Sequence, residues 1–141
     1  MHVHFFSKKL IIDSLNLCDI LKLNEQELPI VADYFGFKGD IESQLDLIIS
    51  HFKLKYVVYT MGKSGSIISS TNVSSYEKVP KIEVVDTVGA GDAFTAIFIT
   101  GILKGINLLE IHRKATEISA FVCTQKGATP KVKHEFFQKI K

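Results

Sequence analysis

The segment 86–94, with the sequence DTVGAGDAF, constrains the fold of this chain more than any other. A strand-like run at 81–85 precedes it, and an apolar, helix-forming run at 93–103 follows it. Its glycines allow a tight turn and a close approach of a ligand to the backbone. The following helix would direct its unpaired N–H groups and the positive end of its dipole toward the turn. The segment therefore predicts a strand–turn–helix unit whose turn favours phosphate or another developing anion.

Asp92 lies at the same predicted turn, where a carboxylate can take a proton from a hydroxyl nucleophile. A carboxylate base beside an anion site is what phosphoryl transfer to an alcohol requires. A structural interpretation exists as well, because an aspartate near a helix start is usually a cap and Gly-x-Gly before a helix is common. Gly89 and Gly91 alone leave both interpretations open.

Length and composition predict one globular domain. The chain has 141 residues, of which 46% are hydrophobic, enough to form a core. A net charge of +2 is too small to indicate nucleic acid or a membrane surface as a partner. No apolar run of membrane-spanning length or signal-peptide pattern occurs, and Cys18 and Cys123 lack metal-ligand spacing. These features predict a cytoplasmic protein with free, buried thiols.

Strand and helix patterns alternate along the chain. Helices are predicted at 8–17, 25–34, 40–52 with Asp40 as its cap, 93–103, 107–124 and shortly after Pro130; strands are predicted at 19–23, 55–61, 66–70, 73–79 and 81–85. This alternation favours an α/β layer fold with a mainly parallel sheet. Ligands of such sheets bind at the carboxyl ends of the strands. The segment 86–94 is expected at that edge.

The full string Asp-Thr-x-Gly-Ala-Gly-Asp-x-Phe resembles the C-terminal signature of the ribokinase-like (PfkB) carbohydrate kinases. The resemblance implies a three-layer ribokinase-like fold, with helices flanking a mainly parallel sheet. It implies transfer of the γ-phosphoryl group of ATP, the co-substrate, to a sugar hydroxyl. Asp92 would be the catalytic base, and the backbone of Gly89, Ala90 and Gly91 would form the anion hole.

Asn24 and Glu27 follow the first predicted strand at a spacing that places both side chains on one face of a starting helix. The same spacing describes a capping box, and the bare sequence favours that interpretation. The segment 23–28, LNEQEL, is similar to the Asn-x-x-Glu segment of the family. That similarity instead implies a role for both residues in holding Mg²⁺ through water.

The segment 60–65, TMGKSG, is expected to be either a plain hairpin turn or part of a nucleotide site. A similar Thr-x-Gly-x-x-Gly segment lines the nucleotide site in this family. The resemblance therefore implies nucleotide contacts at six positions in all: Thr60, Gly62, Lys63, Gly65, Thr87 and Gly127. An exposed lysine in a turn is more often solvated, which leaves the role of Lys63 open.

The segment 107–130 resembles the adenine-side wall of the family, and its closing residues match in outline. The family resemblance implies a monovalent-cation site, with K⁺ as the candidate ion, at Asp86 and Val88. Lys131 departs from the small polar residue often found at its position, which leaves potassium activation open.

The resemblance extends over nearly the whole chain, yet it covers only the C-terminal half of the family pattern. Residues 1–141 are expected to form the nucleotide-binding and catalytic part of a ribokinase-like domain, without the N-terminal sugar-binding half and lid. We expect a fructokinase-like sugar kinase that binds ATP or ADP, and self-association through an exposed sheet edge. The alternative is a non-catalytic nucleotide-binding or self-associating fragment that is inactive alone.

Overall fold

The computed structural model describes residues 7–132. The helices are α1 (Lys8–Leu15), α2 (Glu27–Phe35), α3 (Ile41–Phe52), α4 (Ala90–Leu103) and α5 (Leu108–Cys123). The strands are β1 (Ile20–Asn24), β2 (Tyr56–Thr60), β3 (Ser66–Ser69) and β4 (Ser74–Glu77), and a short 3-10 turn spans Gly62–Ser64. The helix expected after Pro130 lies outside the described residues.

The strands form a sheet in the order β1-β2-β3-β4. β1 and β2 run parallel, with Ile20 opposite Tyr56 at one end and Asn24 opposite Thr60 at the other. The connections at 61–65 and 70–73 are too short for a parallel crossover, so β3 runs antiparallel to β2, and β4 runs antiparallel to β3. The sheet is therefore mixed, and the expected α/β class with flanking helices is confirmed.

The strand expected at 81–85 does not form. The backbone N–H groups of Val85 and Asp86 donate instead to the carbonyl of Cys123, at 2.8 and 3.2 Å. Val84 and Val85 are 46% and 52% exposed. The β-branched residues that made this run look like a strand lack a neighbouring strand in the described part of the chain.

The chain divides into two compact units, and the first combines the described residues up to Gly62 with Ile67–Ser74. Its core includes the apolar face of α3, where Leu45 and Ile48 are fully buried. Asp40 caps that helix as expected, because its Oδ1 accepts a hydrogen bond from the Ser43 N–H at 2.9 Å. The apolar spacing and the cap together explain why α3 matches its predicted bounds so closely.

The second unit combines Lys63–Ser66 with the described residues from Ser75 onward, and the packing of α4 on α5 dominates it. A Cβ atom added at Gly101 in α4 would lie 2.6 Å from Cγ1 of Ile111 in α5, so the absence of a side chain allows the two helices to approach closely. Within residues 7–132, no helix is both long and apolar enough to cross a membrane.

Candidate active site

The turn before α4 has the geometry that the sequence predicts. Gly89 adopts φ +84°, in the left-handed region, and α4 begins at the next residue. The N–H of Ala90 donates to the Thr87 carbonyl at 3.3 Å. Among the described residues, the N–H groups of Gly89 and Gly91 have no acceptor. Two N–H groups at a helix start are therefore free to bind an anion.

Asp92 lies in the first turn of α4 and is exposed. Within residues 7–132 its carboxylate makes no hydrogen bond or ion pair. It is therefore not the cap that the structural interpretation suggested, since no backbone N–H donates to it. An exposed carboxylate without a structural partner is available to receive a proton from a bound hydroxyl.

Asp86 joins the signature turn to the loop that follows α5. Its Oδ1 accepts from the Val88 N–H at 3.0 Å, and its Oδ2 accepts from the Gly127 N–H at 3.1 Å. These backbone hydrogen bonds, first from Val88 and then from Gly127, hold the pKa of the Asp86 carboxyl below its usual value. Three residues predicted as site residues are thus brought together by one side chain.

Gly89 and Ala128 form a second contact between the same two segments. A Cβ atom added at Gly89 would lie 2.3 Å from the carbonyl oxygen of Ala128 and 2.9 Å from its Cα. Only glycine fits here, because the left-handed φ and the close backbone contact both exclude a side chain. The post-α5 loop, residues 124–130, therefore packs directly on the predicted anion-binding turn.

Asn24 and Glu27, in the first unit, bond to each other's backbone. Asn24 Oδ1 accepts from the Gln26 and Glu27 N–H groups at 2.9 and 3.0 Å, and Glu27 Oε2 accepts from the Asn24 N–H at 2.9 Å. This is the reciprocal pattern of a capping box. Asn24 also lies opposite Thr60, at the carboxyl ends of the two parallel strands. Both residues therefore lie at the edge where such sheets bind ligands.

The oxygen atoms that Asn24 and Glu27 leave available determine how this pair could contact an Mg²⁺ ion. Among the described residues, no cluster of three or more His, Cys, Asp or Glu side chains is arranged to hold a metal ion. Glu27 Oε1, however, has no hydrogen-bond donor in that part of the chain, and its side chain is exposed. One free carboxylate oxygen fits contact with a hydrated ion that keeps its waters, and does not fit a direct protein cage.

Glu25 is a neighbouring carboxylate that the sequence analysis did not single out. Its Oε1 would lie 3.5 Å from a Cβ atom added at Gly62, which adopts φ +50°. Burial, and then the charge of Glu25, raise the pKa of Tyr59. The parallel register indicates why it was missed, since Glu25 comes near residues 59–62 only once β1 and β2 are paired.

The predicted nucleotide loop turns through the 3-10 segment Gly62–Ser64, and its exit belongs to the second unit. Tyr76 Oη donates to the Ser64 carbonyl at 2.7 Å. Gly65 adopts φ +110°, and a Cβ atom there would lie 2.2 Å from the Glu77 carbonyl oxygen. Lys63 is exposed, as expected for a turn lysine. The Tyr76 hydroxyl and the Glu77 carbonyl thus contact the backbone of the loop, and the Lys63 side chain remains accessible.

His112 is a buried residue of α5 that the sequence analysis missed. Its side chain is fully buried, and its ring nitrogens lie 2.8 Å from the hydroxyls of Ser66 and Ser75. Burial lowers the pKa of His112 to about 4. The available signal was a lone polar residue on the apolar face of a predicted helix, beside Ile111 and Ala115.

His112 makes the stability of the protein depend on pH. An unfolded histidine titrates near 6.5 and the folded one near 4, so only the unfolded chain binds the proton between these values. The contribution of the neutral His112 to the free energy of unfolding is therefore fully present above about pH 6.5. It falls by roughly 2–3 kcal/mol as the pH drops toward 4. Urea unfolding at several pH values should show this loss in wild type and a smaller one in His112→Gln. An equal loss in both proteins would contradict the assignment to His112.

Together, the fold and site describe an α/β protein with an anion-binding helix start and polar groups at parallel strand ends. The model of the pfkB family carbohydrate kinases matches residues 5–135. The chain therefore belongs to that family, as its signature segment predicted.

One relative is a nucleoside kinase of Methanothermobacter thermautotrophicus, 30% identical over 125 residues. The match covers 89% of this chain but only 38% of that relative's length. This chain thus corresponds to well under half of the relative's length.

Two solved structures support the ribokinase-like fold. A ribokinase from Thermotoga maritima superimposes with a TM-score of 0.76 at 23% identity, covering 97% of this chain and 45% of that one. A fructokinase from Vibrio cholerae O395, in its fructose-, ADP- and calcium-bound form, gives a TM-score of 0.66 at 27% identity, covering 85% and 39%. The expected ribokinase-like fold is confirmed.

Proposed function

We propose that this chain contributes the ATP-handling and catalytic part of a kinase that transfers the γ-phosphoryl group of ATP to a hydroxyl of a sugar or nucleoside. The observation that supports this most strongly is the Asp92 carboxylate in the first turn of α4, which has no partner within residues 7–132, close in sequence to Gly89 and Gly91, whose N–H groups have no acceptor there. Asp92 would accept the proton of the attacking hydroxyl. The free N–H groups would stabilise negative charge on the transferring phosphoryl group.

Mg²⁺ and K⁺ are the proposed ions. Asn24 and Glu27 would hold a hydrated Mg²⁺ through its waters, and the bound ion would neutralise phosphate charge. K⁺ is proposed at the backbone carbonyls of Asp86 and Val88. The Asp86 carboxylate would shape this site indirectly, because both of its oxygens already accept backbone N–H groups.

The proposed nucleotide contacts are those that the family resemblance implied: Thr60, Gly62, Lys63, Gly65, Thr87 and Gly127. Fructose is the proposed acceptor, because the fructokinase from Vibrio cholerae O395 is 27% identical and was solved with fructose and ADP. A nucleoside is the competing acceptor, because the archaeal relative at 30% identity is a nucleoside kinase. We further propose a cytoplasmic location.

A second candidate function is a nucleotide-binding or self-associating module without catalysis of its own. Val84, Val85 and Val88 are 46%, 52% and 58% exposed, an unusual exposure for three neighbouring valines. Pairing with another copy would cover them. Light scattering tests this candidate directly, since a sharp monomeric species at working concentration would argue against self-association.

Calorimetric titration of the folded chain with ADP and Mg²⁺ tests nucleotide binding, which both candidate functions include. We expect binding that weakens in Gly91→Val, because a bulky side chain at the helix start obstructs the approach of phosphate to the free N–H groups. Gly105→Ala is the matched control, since Gly105 is exposed and a Cβ atom there meets nothing within 4 Å. A folded wild-type sample without detectable binding would contradict the proposed nucleotide site.

A further inference from the structure

The buried imidazole of His112 connects α5 to two strands at once. Nε2 lies 2.8 Å from Ser66 Oγ at the start of β3, and Nδ1 lies 2.8 Å from Ser75 Oγ in β4. Ser66 and Ser75 are only 4% and 6% exposed, so water cannot readily replace either contact. A neutral imidazole donates through one nitrogen and accepts through the other, and a hydroxyl can serve either role. Both ring nitrogens are therefore satisfied, whichever tautomer is present.

Both serines adjoin residues that fix the predicted nucleotide loop. Ser66 directly follows Gly65, whose backbone packs against the Glu77 carbonyl. Ser75 directly precedes Tyr76, whose hydroxyl donates to the Ser64 carbonyl at 2.7 Å. Movement of either serine would thus displace the exit of the 62–65 loop.

His112 also contacts the helix that contains Asp92. The ring of Phe94, which is 4% exposed, meets the imidazole edge-on with centroids 6.0 Å apart. Phe94 lies two residues after Asp92 in the first half of α4. One buried side chain therefore touches both the strands next to the nucleotide loop and the helix of the proposed base.

We infer that His112 is a positioning residue, which holds the exit of the 62–65 loop and the start of α4 in fixed relation within the second unit. Its effect on nucleotide binding rests on the function proposed above. The hydrogen bond between His112 Nε2 and Ser66 Oγ is the critical one, because Ser66 is adjacent to the loop. An apolar residue of similar size at position 112 would fill the space but leave both buried hydroxyls unpaired.

The two ring contacts can be separated by substitution in the full chain. The amide nitrogen and oxygen of asparagine are bonded to Cγ, as Nδ1 of histidine is. His112→Asn can therefore keep the contact with Ser75 and lose the contact with Ser66. His112→Gln reaches further and can keep the contact with Ser66. Ser66→Ala removes the same contact from the other side. Ser69→Ala is the matched control, because Ser69 is a 2% exposed serine of the same strand whose hydroxyl contacts Ser74 instead.

Two measurements decide the inference. Amide hydrogen exchange of residues 62–66, without nucleotide, should accelerate in His112→Asn and Ser66→Ala and stay near wild type in His112→Gln and Ser69→Ala. Calorimetry with ADP and Mg²⁺ should show affinity weakened about five- to tenfold in the first pair only. A merely structural histidine would lower the stability of every variant without this selective pattern.

Exchange at 62–66 that is unchanged in Ser66→Ala, or equally raised in Ser69→Ala, would overturn the inference. If His112→Asn fails to fold, Ser66→Ala still tests the same contact. If wild type binds no ADP, the proposed function fails, whereas the exchange measurement still decides whether His112 positions the loop.

Discussion

Asp92→Asn should lower the rate of phosphoryl transfer by about 10²–10⁴-fold and leave ADP affinity nearly unchanged. Asparagine has the shape of aspartate but cannot accept the proton of the attacking hydroxyl. The fold should tolerate the change, because the carboxylate is exposed and makes no hydrogen bond or ion pair within residues 7–132. The effect is measured as the initial rate of ADP formation, with fructose and with nucleosides as acceptors. The assay uses the assembly of this chain that shows kinase activity.

Glu42→Gln is the matched control for Asp92→Asn. Glu42 is also an exposed acid in the first turn of a helix, α3, so its substitution removes the same charge from the same part of a helix dipole. Its effect should be confined to a small loss of stability. Turnover that survives Asp92→Asn intact would show that another group is the base. Equal loss in both variants would instead trace the effect to helix stability.

Elements defined by local pattern were predictable from the sequence. The helix α3 follows from apolar residues at helical spacing and from the Asp40 cap, all within one short segment. The run 81–85 has the composition of a strand and yet forms none, because a strand also needs a neighbouring backbone. Composition does not reveal whether that neighbour is present, and here the backbone donates to Cys123 at the end of α5.

The same distinction applies to the candidate site. The turn at Gly89 and the Asn24–Glu27 pair are local patterns, and their backbone geometry could be predicted. The contacts of His112 join residues 46 and 37 positions apart, so no short motif indicates them. The contact of Asp86 with Gly127 spans 41 positions, and the family resemblance brought both residues into the prediction without indicating that they bond to each other.

Gly89→Ala should destabilise the protein more than Gly105→Ala, a change at another glycine with a left-handed φ. The left-handed φ of +84° alone costs an alanine about 1–2 kcal/mol. The new Cβ atom would also lie 2.3 Å from the Ala128 carbonyl oxygen, so the signature turn and the post-α5 loop must separate. Forced repacking of this kind typically costs a further 1–3 kcal/mol. The free energy of unfolding in urea measures the sum.

Gly105→Ala separates the two costs, because Gly105 adopts φ +68° with nothing within 4 Å of an added Cβ atom. Gly105→Ala should lose only the free energy that the left-handed φ costs an alanine. The additional loss in Gly89→Ala then measures the cost of the clash with Ala128. Equal losses would mean that the post-α5 loop moves away freely. ADP binding then distinguishes what the contact does: if it shapes the anion site, Gly89→Ala should weaken ADP binding even under conditions where the variant remains fully folded. Gly105→Ala should not.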